Sequence, residues 1–308
     1  VPAISLAEFR TRLTRLYASN ETRPSTGKRI DQLAGELIEQ LGPDATTAQL
    51  TTDAIAAWKL AHPGRSKETV IGYLGCLRAA CTWAFEEGWI ERQPSWKRLR
   101  PRRRSGSQAG PHLDLGQIRL LLGHLAAKAA DGGWTDQRLY ALVSVATYTG
   151  LRRNELLFLR CSDFDLAAEI LLVVPRKERE LKTPESCRPV PIAPELRPIV
   201  ASWLPLAGSE WFCPGLRHGR PWSSGRVGYR PIDRLRQAAA EVGIDHITWQ
   251  TLRRGWSVYA EGVWACTDPE IERVLGHTCP TTSKRWYRKA NVDNLRAIGA
   301  RIRLQEMA

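Results

Sequence analysis

Four short stretches of the chain gather the residues best suited to phosphate chemistry. They are Thr149-Gly-Leu-Arg-Arg-Asn-Glu-Leu156, Leu181-Lys-Thr183, Gln250-Thr-Leu-Arg-Arg254 and Leu275-Gly-His277, the last followed after ten residues by Tyr287. A phosphodiester is anionic and repels nucleophiles, and attack places further charge on its non-bridging oxygens. Arginine answers that need with a planar fork of donors. Tyr287 sits among Lys284, Arg285 and Arg288, which weigh against burial and suit a phosphate neighbour. Trp286, one residue earlier, has no nucleophilic oxygen. No Gly-x-x-x-x-Gly-Lys loop, Gly-x-Ser-x-Gly elbow or His-Glu-x-x-His helix competes for the role of reactive centre.

The composition agrees with a polyanionic partner. Among 308 residues the formal net charge is +13, with a pI near 9.8, a balance that favours nucleic acid over a small neutral ligand. A hydrophobic fraction of 43% with 25% charged residues belongs to a chain that folds. Seven cysteines, odd in number, widely spaced and without a Cys-x-x-Cys pair, point to reduced thiols rather than a disulfide framework or a zinc site. The segment Val1-Pro-Ala-Ile-Ser-Leu-Ala-Glu8 lacks the regions of a signal peptide, and no apolar run approaches a membrane span. A cytoplasmic, nucleoid-associated protein is expected.

The elements that must position these residues fall into two groups. Residues 1–96 read as about four helices. Ser5 stands three residues before Glu8, the spacing of a capping box. Ile30, Leu33, Leu37 and Leu41 mark a second helix, residues 51–61 a third, and Val70, Tyr73, Leu74, Leu77, Cys81 and Ala84 a fourth that follows a Ser66 cap. The aromatics of the fourth, Tyr73, Trp83 and Phe85, are expected in its core. Residues 97–112 form a basic linker, in which Lys97, Arg98, Arg100, Arg102, Arg103 and Arg104 are candidates to follow a phosphate backbone, since each such contact releases counterions.

Residues 113–308 read as helices near 114–130, 135–148, 152 onward, 226–242, 250–262, 268–275, 281–289 and 293–304. Two short strands, near 169–174 and 188–192, interrupt them. Pro189 and Pro191 argue for an edge strand. The fold class expected is mainly α with a small antiparallel β-sheet in the second domain, an α+β arrangement.

In its motifs, their order and their spacing, the sequence resembles the tyrosine recombinase, or phage integrase, family over nearly its whole length. The resemblance implies a helical core-binding domain at 1–96 and a catalytic domain at 113–308. It maps the family's first arginine onto Arg152, with Glu155 as the acidic residue that orients it, and the second onto Arg253. Lys182 resembles the hairpin lysine, with Lys177 the competing position. His277 resembles the last basic residue of the site, and Tyr287 the nucleophile. The chain departs from the pattern at Gln250, where the family has histidine: glutamine hydrogen-bonds a phosphate oxygen but carries no proton at neutral pH. His246, one turn upstream, is the alternative proton carrier.

The resemblance implies site-specific recombination or integration of double-stranded DNA. Arg152 and Arg253 would hold the phosphate, Tyr287 would attack it to leave a 3'-phosphotyrosyl bond and a free 5'-hydroxyl, and Lys182 would protonate the leaving oxygen. No metal or other cofactor is required by that scheme. Strand exchange implies a homotetramer on two duplexes, and the apolar residues Leu295, Ile298, Ile302 and Leu304 offer a face for a neighbouring subunit. Two other readings remain: a type IB topoisomerase that relaxes supercoils, and a non-catalytic DNA-binding relative suggested by Gln250.

Overall fold

The computed structural model describes residues 2–19, 24–99, 110–178, 186–216, 219–223, 227–276 and 292–304. The chain divides into two compact units, Val1–Ser107 and Gln108–Ala308. Lys182, His277, Tyr287, Arg100, Arg102, Arg103, Arg104 and the helix expected at 281–289 lie outside the described residues.

The first unit is helical: α1 (Leu6–Ser19), α2 (Pro24–Leu41), α3 (Thr52–Leu60), α4 (Lys67–Glu86) and the single turn α5 (Trp96–Leu99). Each of three starts has its expected physical cause. The Ser5 hydroxyl accepts the Glu8 amide at 3.1 Å, Thr51 accepts that of Ala54 at 3.2 Å, and Ser66 accepts that of Thr69 at 3.2 Å. These bonds satisfy N–H groups that a first helical turn leaves without partners. All six apolar positions expected on the inner face of α4 are buried. Phe85 is the correction: it is 45% exposed, because it follows Ala84 on the turn and faces away from the stripe that packs. Lys97 and Arg98 are both exposed on α5.

A polar network ties α2 to α3 and to the start of α4. Both oxygens of Glu36 accept from Arg65, at 2.5 and 2.9 Å, and Glu36 also accepts from the Trp58 indole at 3.0 Å. The Arg65 guanidinium lies 4.7 Å from the centre of the Tyr73 ring. Arg65 first, helped by Trp58 and Gln32, outweighs burial and holds the Glu36 carboxyl down at about 2, against an ordinary 4.5. A depressed carboxylate stabilises the fold above its unfolded-state value and loses that contribution as pH falls. Glu36→Gln is therefore expected to lower stability by about 2 kcal/mol at pH 7. The deficit should shrink as pH drops from about 4.5 toward about 2, and melting curves of the two proteins across that range check it.

The second unit is built around α7 (Trp134–Thr149), whose residues from Ala141 to Thr149 are all buried. Around it pack α6 (Leu115–Asp131), α9 (Leu196–Trp203), α10 (Pro231–Ala240) and α11 (Trp249–Gly262). The remaining α-helices among the described residues are α8 (Arg153–Leu157), α12 (Asp268–Leu275) and α13 (Val292–Arg301). The sheet is β1 (Phe164–Asp165), β2 (Ile170–Val173) and β3 (Arg188–Pro191), antiparallel in the order β1-β2-β3. Pro189 and Pro191 pair with Leu172 and Ile170 on the edge strand β3, where a residue without an N–H is tolerated. The mainly helical class with one small antiparallel sheet is thus the observed fold.

The C-terminal stretch differs from its expected use. Leu295, Ile298, Ile302 and Leu304 are buried in the core of their own unit rather than offered to a neighbour. Polar contacts hold them there. Arg119 donates to the Leu304 carbonyl at 2.5 Å, the Leu304 amide donates to Glu195 at 2.9 Å, and Trp264 donates to the Arg303 carbonyl at 3.0 Å. Burial of four aliphatic side chains, each contributing about 1.5–3 kcal/mol, against β2, β3 and the core outweighs leaving that face open in a single chain.

Candidate active site

Two helix ends and one strand start build the site. Helix α7 stops at Gly150, which takes the left-handed conformation with φ 61°. A side chain there would be strained, and its Cβ would sit 2.9 Å from Leu275 and 3.0 Å from Trp256. After this turn the chain reaches Arg152, the residue that caps α8. The second end is that of α12, closed by Gly276 in the left-handed conformation with φ 63°. A Cβ at Gly276 would lie 2.8 Å from the Arg188 guanidinium.

The last carbonyls of α12 receive three arginines. Arg188 donates through Nε to Val274 at 2.6 Å, Arg253 donates to Leu275 at 2.8 Å, and Arg152 donates to Gly276 at 2.7 Å. Helix-terminal carbonyls have no partner within the helix and carry the negative end of its dipole, so cations are stable there. Arg253 also donates to the Gly150 carbonyl at 2.6 Å, which joins the two glycine turns through one side chain.

Glu155 sits among these cations. One oxygen accepts from Arg152 Nη1 at 2.8 Å and from Arg188 Nη1 at 3.2 Å; the other accepts from Arg188 Nη2 at 3.0 Å and from the Arg152 amide at 3.0 Å. Glu155 thus binds Arg152 through both its guanidinium and its amide. Arg152 stands just before α8, and the Glu155 carboxylate reaches back from the first turn to accept from the Arg152 amide. Burial alone would raise the Glu155 carboxyl; the charge and hydrogen bonds of Arg188, with those of Arg152, outweigh it and hold the group below its ordinary range. Arg253 also shifts down, which for a guanidinium works against the charged form. Burial, then the nearby charge of Arg152, pushes it down to about 9, although Glu155 opposes the shift. It remains charged at neutral pH, and an arriving anion would relieve the crowding.

Arg152 is 26% exposed at its side chain and so reaches solvent, whereas Arg188 and Arg253 are buried. Gln250 lies one turn before Arg253 on α11 and is exposed, as is His246 in the loop ahead of that helix. Lys177, also exposed, follows β2. The structure therefore brings together Arg152, Glu155 and Arg253. It also adds three features that the motifs did not disclose: Arg188, the Ser186 hydroxyl 3.4 Å from Arg152 Nη1, and the carbonyls of the two glycine turns. A signal for Arg188 existed. It shares the inward face of β3 with buried Val190, where a strand facing a core ordinarily holds an apolar residue.

Cys81, Cys213 and Cys266 are buried and free, consistent with packing as small hydrophobes.

Solved structures share this mainly helical architecture. The Tn1549 transposon integrase in complex with a circular intermediate DNA is 17% identical, with a TM-score of 0.69, over 96% of this chain and 98% of that one. A lambda integrase tetramer bound to a Holliday junction is 18% identical, with a TM-score of 0.65, over 91% of this chain and 79% of that one. These likenesses define the class of fold. The sequence itself matches the phage integrase family over residues 113–293, and the chain belongs to that family. Comparison with curated proteins found no match.

Proposed function

We propose that this protein is a tyrosine recombinase, which exchanges DNA strands at specific sites through a covalent 3'-phosphotyrosyl intermediate. The observation that carries the reading is the convergence of Arg152 and Arg253 on the last carbonyls of α12, immediately before His277 in the chain. Guanidiniums gathered around a single turn, with more positive charge than Glu155 neutralises, suit a phosphate.

In this mechanism Arg152 and Arg253 hold the non-bridging oxygens and stabilise the charge that develops on them. The Tyr287 oxygen attacks phosphorus, a P–O bond to tyrosine forms, and the bond to the 5'-oxygen breaks. Lys182 gives that oxygen its proton. His277 and Gln250 hydrogen-bond the phosphate, and with glutamine at 250 the phenolic proton leaves through His277 or water. Attack by a 5'-hydroxyl from a second duplex reverses the steps, so the stored ester supplies the bond energy. Residues 1–96 and the basic segment 97–112 would clasp the duplex, with Lys97, Arg98, Arg100, Arg102, Arg103 and Arg104 on its phosphates. Four protomers would act on two synapsed duplexes. Among the described residues no helix is long and apolar enough to cross a membrane.

The test is strand exchange between two labelled duplexes carrying the sequence of the protein's own host locus, without a nucleotide cofactor. Products of exchanged length are expected. Relaxation of a supercoiled plasmid without exchange would instead favour a topoisomerase.

The exposed Gln250 makes a second reading concrete, a relative that binds DNA without cutting it. Replacing Gln250 by histidine restores a proton carrier one turn from Arg253. If proton transfer there limits the reaction, Gln250→His is expected to raise the rate of cleavage on nicked DNA by about 100-fold or more, the scale of general acid–base contributions. An unchanged or reduced rate would show that the site is adapted to glutamine.

A further inference from the structure

We infer that Arg188 is a positioning residue of the site, a third arginine that sets the direction of Arg152 by holding Glu155 from behind. The inference rests on the recombinase reading for its catalytic consequence and on geometry for its structural one. Arg188 begins β3 and is buried, and its four described hydrogen bonds all run inward: to both oxygens of Glu155, to the Val274 carbonyl and to the Ser186 carbonyl at 2.9 Å. It therefore does not present its fork to a DNA phosphate. Its work is on the carboxylate that Arg152 uses.

A carboxylate approached by one arginine can swing about its terminal torsion, which is broad and soft. Glu155 is gripped by the Arg188 fork through one N–H on each oxygen, and those same two oxygens accept from the side chain and the amide of Arg152. Fixing the plane of the carboxylate thus fixes where the Arg152 guanidinium sits. Because Arg188 also binds the end of α12 and the segment entering β3, it ties three elements together. These are the start of α8, the strand that follows the segment carrying Lys182, and the helix end that leads to His277. Lysine cannot reproduce this arrangement, since it offers a point charge in place of a planar fork.

The experiment compares wild type with Arg188→Met, Arg188→Lys, Glu155→Gln and the Glu155→Gln/Arg188→Met double variant in the full chain. Adduct formation on a nicked suicide duplex is read in a single turnover at saturating protein, beside DNA affinity and thermal melting. Arg188→Met is expected to retain DNA affinity within about 3-fold while cleaving about 100-fold more slowly, the scale of a misplacement of about 1 Å. In the Glu155→Gln background the same substitution should cost less than about 3-fold, because groups in one network are not additive. Should the methionine variant fail to fold, Arg188→Lys carries the comparison, with an expected loss of at least about 10-fold at unchanged affinity.

A crystal structure of the DNA-free variant supplies an arm that needs no activity, with Glu155 expected to turn and its bond to Arg152 Nη1 to be lost. Cleavage at the wild-type rate, an equal loss with and without the Glu155 carboxylate, or an unmoved Arg152–Glu155 pair would each overturn the inference. A wild type that forms no adduct at its own site would overturn the recombinase reading instead. The variant structure would then still decide whether Arg188 positions Arg152.

Discussion

Arg152→Lys is expected to bind its DNA nearly as tightly as wild type and to cleave it about 100 to 1000-fold more slowly, the cost of removing one positioned donor to a developing oxyanion. The charge survives the substitution, and so does the contribution of counterion release to affinity. What is lost is geometry. Arg152 is aimed by donating through Nη1 to Glu155 and through Nη2 to the Gly276 carbonyl, while its side chain stays 26% exposed. A lysine ammonium reaching the same carboxylate has no second arm of fixed direction to offer a phosphate. Gel-shift affinity and single-turnover cleavage, measured on one DNA, separate the two effects. Equal cleavage rates would remove Arg152 from the role assigned to it.

Tyr287→Phe carries the largest expected effect. The substitution deletes one oxygen, keeps the ring and leaves the arginines untouched, so folding and DNA affinity should persist. Covalent chemistry should vanish altogether, since no other group in the proposed mechanism forms a bond to phosphorus. On a nicked suicide substrate the short cleaved strand diffuses away and traps the adduct in wild type; the phenylalanine variant should yield none. A mutant that still forms the adduct would show that another residue is the nucleophile.

Much of the arrangement that positions this chemistry is legible in the residues themselves. Ser5 and Ser66 announce helix starts because a side-chain oxygen placed three residues before an unpaired amide satisfies it. The spacing from Val70 to Ala84 announces the buried face of α4 because its apolar residues follow the helical period. Helix α9 is hidden by Pro194 and Pro198. A proline in the first turn is compatible with a helix, yet in a sequence it reads as an interruption. The fate of the C-terminal face shows a different limit. Periodicity marks Leu295, Ile298 and Ile302 as residues that must be covered, but says nothing of whether the cover is the same chain or another.

The site divides in the same manner. Arg152, Glu155 and Arg253 stand in stretches whose residue order is itself informative, and the fold brings them together. Backbone carbonyls are common to every residue, so the acceptors at positions 150 and 274–276 leave no trace except the two glycines whose positive φ aims them. Arg188, ahead of Pro-Val-Pro, owes its place in the site to the strand register that turns it inward.

The proposed mechanism stands on a covalent bond between Tyr287 and DNA. It is tested most directly by incubating the wild-type protein with nicked duplex from its own host locus, digesting the denatured complex, and sequencing the DNA-linked peptide by mass spectrometry. The expected product is a peptide spanning Tyr287 that carries the 3'-phosphate of the cleaved strand on its phenolic oxygen. A linkage on any other residue, or no covalent species at a site the protein demonstrably binds, would contradict it.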